Sequence, residues 1–503
     1  MTISGVDAEV VDVEVDISNG LPMFDMVGLL ASEVREAKER VRSAVRNSDF
    51  TLPARRITVN LSPADMHKSG TGLDLPIAIG ILCSMEVIKP RALAGCCFIG
   101  ELGLDGSVHG CRGILGMVCG AKAAGCSRCF VPKENEQEAS YVSGIEVIGV
   151  DSLCQTASIL NGNTYKKCEK KDCFQDAIAK QMYGEDFADV VGQESLKRAI
   201  TIAVAGRHNL LMVGQPGSGK TMAAKRIPGI LPRLTEEECL EVSRIYSVAG
   251  LLGNQPLIWK RPFRQVHHSV TRQGLIGGGR YPRPGEITLA HKGVLFLDEY
   301  AEFSRDVLEA LRQPLEDRQV CIGRLQKTYV FPADFMLVAA MNPCRCGYYP
   351  DRNRCNCSEP EIERYLKRIS GPLFDRIDLA AYVRHVDITM LEQRKTGLSS
   401  ADMRTLVMEA WKRQKQRYAN TPLLFNGQLS GSQVKTFCRI SSEGEQLLGQ
   451  AVQKLKVSTR GYFKMIKLAR TIADLEGSNL IESSHIAEAV SYRASNLQQM
   501  LRA

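Results

Sequence analysis

The stretch 209-NLLMV-213, followed at once by 214-GQPGSGKT-221, constrains this chain more than any other. An apolar strand, a glycine-rich turn and a helical segment in that order form a loop whose backbone N–H groups curl around phosphates. Gly214, Gln215, Pro216, Gly217, Ser218 and Gly219 make the turn. Lys220 is placed to reach the β/γ oxygens, and the Thr221 hydroxyl to bind Mg²⁺. The chain must therefore contain an α/β domain that binds a nucleoside triphosphate, with ATP and Mg²⁺ as its expected ligands.

Two further apolar runs end in polar tips. In 293-GVLFLDEY-300, four apolar residues predict a buried parallel strand. Asp298 would hold Mg²⁺ through water, and Glu299, pointing the other way, would polarise the attacking water. In 335-FMLVAAMN-342 the tip is Asn342, which can orient the same water or sense the γ-phosphate. Such an Asn alone reads as a turn residue. Three apolar strands with tips of this kind, in this order, make it part of a hydrolytic site.

Around this engine the 503 residues divide into units with different patterns. Residues 1–160 alternate strand-like runs (Val10–Ile17, Ile57–Leu61, Cys96–Ile99, Ile145–Val150) with helical ones (Ser32–Asn47, Leu75–Met85, Leu115–Ala124), an α+β domain. Residues 161–185 open with the polar, charged 161-NGNTYKKCEKKDC-173 and read as a linker. The ATPase unit spans 186–382. From 383 to 503 the pattern is helical, with segments at Ala401–Tyr418, Ser432–Ile440, Ser442–Leu455, Ser458–Glu476 and Ser483–Leu501, several of them opening on Ser, a good N-cap.

The first residues are acidic with no apolar run, and no stretch approaches the ~20 apolar residues of a membrane helix. A cytoplasmic protein without a membrane partner is expected, its 17 cysteines mainly reduced. The net charge of +8 is uneven: from Glu361 onward there are 22 Lys/Arg against 14 Asp/Glu, whereas the preceding residues hold 42 of each. A basic C-terminal part suits a polyanion and equally a solvated helix surface.

Two insertions and a cysteine cluster complete the inventory. Gly277–Gly279 with Pro282 and Pro284 cannot continue a helix, so a loop projects there. The stretch 318-RQVCIGRLQKTYVF-331 alternates like a hairpin, with Arg324 and Lys327 near its tip, and basic tips suit a phosphate backbone. In 343-PCRCGYYPDRNRCNCSEP-360, Cys344, Cys346, Cys355 and Cys357 form C-x-C…C-x-C. Two readings stay open, a structural Zn²⁺ site closed by four thiolates or reduced loop cysteines.

The order of these motifs resembles the AAA+ ATPases, with 187-FADVVGQESLKRAI-200 similar to the segment that contacts adenine. More closely, 13-VEVDISNGLPMFDMVGL-29, 57-ITVNLSPAD-65, 274-GLIGGGRYPRPGEITLAHKGVLFLDE-299, 341-MNPCRCGYY-349 and 465-MIKLARTIADL-475 resemble the ComM/YifB-type magnesium-chelatase-like AAA+ family across essentially the whole chain. The resemblance implies a homo-hexamer that hydrolyses ATP, with the site shared between subunits. It also implies a C-terminal helical lid and a DNA partner, single-stranded or branched, for a branch-migration helicase in recombination during natural transformation. Arg376 in 370-SGPLFDRIDL-379 resembles the arginine finger given to a neighbour, with Arg368 its competitor. Arg460 resembles the lid arginine that reaches the γ-phosphate. Two other AAA+ activities remain open: a metal-chelatase motor subunit, and a protein-remodelling factor with Tyr281 and Tyr329 at its loops.

The first domain also resembles the Lon peptidase fold, carried by 68-KSGTGLDLPIAIGIL-82 and 98-FIGELGLDGSVHGCRGILGMVCGAKAAGCSRCFVPKENEQE-138. That chemistry needs a serine and a lysine that sheds its proton. The alignment puts Gly72 at the serine and Leu115 at the lysine, while Ser69 is three residues early. No peptidase activity is expected, with Lys68 and Lys122 as the alternative bases.

Overall fold

The computed structural model describes residues 1–168, 174–179, 181, 183–253, 255–279, 282–324, 327–366, 374, 376–384 and 397–493. At its centre is a five-stranded parallel sheet of β1 (Leu210–Gly214), β2 (Phe263–Val266), β3 (Val294–Leu297), β4 (Met336–Met341) and β5 (Leu379–Val383), in the order β2-β3-β4-β1-β5. Strands covered on both faces lose the alternation of polar and apolar residues, which is why LLMV, VLFL and MLVAAM are continuous. Their side chains still alternate between faces. Leu210, Met212, Val294, Phe296, Met336, Val338 and Ala340 pack into one core, and Leu211, Val213, Leu295, Leu297, Leu337, Ala339 and Met341 into a second.

The first core is shared with the helical C-terminal part. Helices Ser400–Arg417, Gly431–Phe437, Ser442–Lys454, Thr459–Glu476 and Ser483–Ser491 build it. Ser399, Ser430, Ser441 and Ser458 each accept from the backbone N–H of the third residue of the helix that follows. Of the expected Ser starts only Ser458 is itself a cap: the caps before Ser432 and Ser442 are Ser430 and Ser441, and Glu482 precedes the last helix. The last helix is described only to Ser491, and residues 494–501 of the expected Ser483–Leu501 segment lie outside the described residues. Arg417, Arg470 and the Asn426 amide converge on the buried Asp474 carboxylate. Next to it Thr471 Oγ1 lies 2.8 Å from His208 Nε2, at the entry to β1. Burial pushes the His208 imidazole down to about 4, so a neutral ring joins the C-terminal helices to the sheet.

The N-terminal unit holds an antiparallel pair, Asp12–Ser18 with Arg56–Ser62, the latter also parallel to Met23–Val27. A separate parallel sheet joins Cys96–Phe98, Arg128–Pro132 and Glu146–Val150. The helix expected at Leu75–Met85 runs from Asp74 to Ser84. Leu115 is wholly buried in apolar surroundings. A Cβ added at Gly72 would sit 3.3 Å from Ile99 Cγ2 and 3.6 Å from Cys111 Sγ. The Lys68 ammonium is buried and donates to the Pro63 carbonyl, and the end of the Lys122 chain lies beside Gly144.

This unit is fastened to the part that holds the five-stranded sheet. Helix Glu236–Ala249 lies against it, with Gly113 N–H donating to Ser247 O at 3.1 Å, Ser247 bonded to Glu138, and Arg244 paired with Asp7. The expected linker is not a bare tether. Residues Phe174–Ala179 are helical, and Phe174 packs edge-on against Trp259, which also meets Tyr141. Hydrophobic residues among the polar ones, Ile178 included, supply the burial that orders it.

Candidate functional site

The tips of β1, β3 and β4 meet at the carboxyl edge of the sheet, where open α/β folds place their ligands. There a cleft of about 400 Å³ is lined by Pro216–Met222, Asp298, Glu299 and Asn342. Gly217 and Gly219 have φ of +74° and +89°, backbone that favours glycine, and Gly219 leads into helix Lys220–Ile230. Lys220 Nζ donates to Gly214 O at 2.7 Å, Gln215 O at 2.8 Å and Asn342 Oδ1 at 3.3 Å. Burial pushes its ammonium down to about 8, against the pull of Asp298. The Thr221 hydroxyl donates to Asp298 Oδ2 at 2.8 Å. These are two hard oxygens side by side, the donor set that suits Mg²⁺. Glu299 takes φ +53°, and its N–H donates to Asp298 Oδ1 at 3.0 Å.

The four cysteines converge. Cys344, Cys346, Cys355 and Cys357 offer sulfur atoms all within 4.8 Å of one another. Cys344 and Cys346 are 3.3 Å apart, Cys346 and Cys355 3.5 Å, and Cys344 and Cys355 3.8 Å. A tetrahedral Zn²⁺ with Zn–S of about 2.3 Å needs sulfurs about 3.8 Å apart, so the cage fits. Burial raises the Cys346 thiol, but hydrogen bonds from the Tyr348 backbone and the neighbouring thiols outweigh it and bring the group down to about 7. A thiolate ligand is thus accessible near neutral pH.

This knuckle also touches the phosphate loop. Gln215 Nε2 donates to Tyr348 O at 3.2 Å. Gly347, at φ +89°, lies so close to Pro216 that an added Cβ would be 2.7 Å from its Cγ. Asn342, two residues before Cys344, contacts Lys220. One short segment therefore holds the loop and the polar tip together.

The two expected arginines do not line this cleft. Arg376 is buried and donates to Glu316 Oε1 at 2.6 Å, while Arg460, 61% exposed, reaches the same oxygen at 3.4 Å. Arg368 lies outside the described residues. The hairpin forms as expected from Gln319–Gly323 and Thr328–Pro332. Its basic residues have partners within the chain: Arg324 donates to Gly279 O at 2.7 Å, tying the two insertions together, and Lys327 pairs with Glu9. Tyr281 falls outside the described residues.

Sequence reasoning passed over two groups. Glu316 has no motif. His268 is the second residue after β2, as Glu299 is the second after β3, so strand-tip logic would have reached it, and its Nδ1 lies 2.9 Å from Glu299 Oε2. With His267 these residues offer three ligand atoms within 4.8 Å.

Comparison with known proteins covers nearly the whole chain. The family described as magnesium chelatase, subunit ChlI, matches residues 186–391, subunit ChlI of Mg-chelatase matches 13–135, and the subunit ChlI C-terminal family matches 397–493. Competence protein ComM of Haemophilus influenzae is 41% identical over 97% of this chain and 96% of its own length. The uncharacterized protein YifB of Escherichia coli is 41% identical over 97% of this chain and 95% of its own. Lon protease 2 of Bacillus subtilis is a more distant match, 26% identical over 40% of this chain and 41% of its own.

Proposed function

The chain belongs to the magnesium-chelatase-like AAA+ family of ComM and YifB, and we propose that it is a homo-hexameric motor that spends ATP to move on single-stranded or branched DNA. The observation that carries this reading is the divided site. Lys220, Thr221, Asp298, Glu299 and Asn342 line one cleft, while Arg376 and Arg460 meet on Glu316 outside it. Phosphoryl transfer needs positive charge on the transition state, and a ring of copies supplies it by presenting this arginine pair to a neighbour's cleft.

Each residue has one task in this reading. The loop N–H groups and Lys220 bind the phosphates. Thr221 and Asp298 hold Mg²⁺, which when bound neutralises phosphate charge. Glu299 takes a proton from the attacking water, and Asn342 orients that water. Such a base contributes roughly 10²–10⁴-fold. Cys344, Cys346, Cys355 and Cys357 would hold Zn²⁺ as thiolates, in a structural role.

The DNA part rests on the relative named for competence, on Arg324 and Lys327 of the hairpin and on the C-terminal charge excess. It takes the chain as four pieces, with residues 1–160 an inactive Lon-like domain, 161–185 a linker, 186–382 the ATPase and 383–503 the lid. Among the described residues no helix is long and apolar enough to cross a membrane, in keeping with work on DNA in the cytoplasm. The test is ATP hydrolysis by the assembled protein with and without forked DNA. Stimulation together with strand displacement supports the motor, and hydrolysis indifferent to DNA counts against it.

A further inference from the structure

The N-terminal unit carries a cavity of its own. It holds about 260 Å³ and is lined from strand Met23–Val27, the second half of helix Ser32–Asn47 and the turn that leads into strand Arg56–Ser62. Phe24, Ile57 and Ile81, all buried, join Leu52 in its apolar lining. Its charged lining is Arg42, Arg46 and Arg55, with no carboxylate among the lining residues. Lys68, Gly72, Leu115 and Lys122 do not line it, so it is not the remnant of a peptidase cleft.

The arginines set what can bind. Elsewhere in this unit Arg40 is paired with Asp74 and Arg56 with Asp25. Among the described residues the side chains of Arg42, Arg46 and Arg55 have no hydrogen-bond or ion-pair partner. Three unpaired cations at one opening repel one another and draw in an anion. Arg42 and Arg46 stand one helical turn apart, about 6 Å along the axis, and each guanidinium can give two parallel N–H bonds to a phosphate. The volume is below the ~300–1,000 Å³ of pockets for drug-sized ligands, room for one flat ring system. A phosphate joined to one flat, partly apolar ring is a nucleotide. Arg35 and Lys38 continue the same helix face, with Glu39 at its margin, so cations run on past the cavity. That track suits a strand better than a free nucleotide. Bases in a duplex are paired and stacked, whereas an unpaired base can leave the stack and enter.

We propose that this cavity holds an unpaired nucleotide of a DNA strand, its base against Phe24, Leu52 and Ile57 and the adjoining phosphates on Arg42, Arg46 and Arg55. The inference rests on the DNA part of the reading above. It gives the N-terminal unit the task of keeping one strand apart while the motor moves.

The test measures binding of a fluorescent oligothymidylate to the full chain by anisotropy, across a salt series, with a duplex of the same length in parallel. Arg42→Ala with Arg46→Ala should weaken binding of the single strand about tenfold at low salt. It should also make the slope of log affinity against log salt shallower by about 1.4, two phosphates at about 0.7 each. Duplex affinity should change by less than about twofold. Both side chains are exposed, so the fold should survive, as the unfolding temperature will show. Lysines at the two positions should restore the slope. A strand carrying 5-iodouracil should photo-cross-link to the peptide that contains Met23 and Phe24. Parental affinity and slope in the double alanine variant, an equal loss on duplex, cross-links confined to other segments, or displacement by polyglutamate as effective as by unlabelled strand would each overturn the proposal. A parent chain that binds neither DNA would instead remove the DNA reading itself, a distinct failure visible in the same titrations.

Discussion

Replacing Gly347 with Ala tests whether the cysteine knuckle braces the phosphate loop. Two costs arise. The residue sits at φ +89°, where a Cβ costs about 1–2 kcal/mol. The new methyl would lie 2.7 Å from Pro216 Cγ and 2.8 Å from its Cδ, well inside contact distance. Overpacking of this kind costs about 1–3 kcal/mol, and the proline ring, held in the loop backbone, can yield only by moving the loop. If roughly half of the combined cost falls on the loop conformation that binds phosphate, ATP affinity falls about five- to sixtyfold, since each 1.4 kcal/mol is a factor of about ten. The assay is titration of a fluorescent ATP analogue. Gly125→Ala is the control, because Gly125 has φ +85° with nothing within 4 Å of an added Cβ. It carries the conformational cost alone, far from the cleft, and should leave affinity unchanged. Parental affinity in Gly347→Ala, or equal losses in both variants, would refute the bracing.

Three further outcomes are expected. Burial holds the Lys220 ammonium at about 8 in the free protein; only the charged form pairs with phosphate, so ATP affinity should weaken roughly tenfold from pH 7 to pH 9, and a flat profile by calorimetry would contradict that environment. Arg460→Ala should keep ATP affinity and lose most turnover. Mixed with Lys220→Ala, whose cleft is dead but whose arginines are intact, it should regain activity; no regain at any ratio would argue against action between subunits. Purified protein should contain about one zinc per chain by elemental analysis, with Cys344→Ser and Cys357→Ser both losing it and ATP affinity together, whereas a metal-free and fully active preparation would leave the cysteines as reduced packing groups.

What the chain disclosed before folding follows burial. Strands β1, β3 and β4 are covered on both faces, so each appears as an apolar run, and the first polar residue after each run is a site residue: Gln215 within the loop, Asp298, Asn342. Strand β2 lies at the sheet edge, and of its residues Phe263, Arg264, Gln265 and Val266 only Val266 is buried. It offers no apolar run, and His268 at its end escaped notice for that reason. Glu316 was illegible on other grounds. It sits in the short helix Arg312–Asp317 and meets Arg376, 60 residues on, only through the tertiary fold. The contact between Gly347 and Pro216 is equally non-local. The cysteine spacing left a zinc site and reduced loop cysteines both open, and it took the loop's folding to bring the four sulfurs within 4.8 Å.

What separates a DNA motor from any other ATPase is that hydrolysis in this cleft is coupled to DNA. The most direct test is the steady-state ATPase rate of the full chain, with forked or single-stranded DNA and without it, while its oligomeric state is followed by mass. A DNA motor should be a hexamer in ATP whose rate rises several-fold on DNA, more weakly as salt is raised. Hexamers that neither bind DNA at low salt nor change their rate in its presence would contradict it.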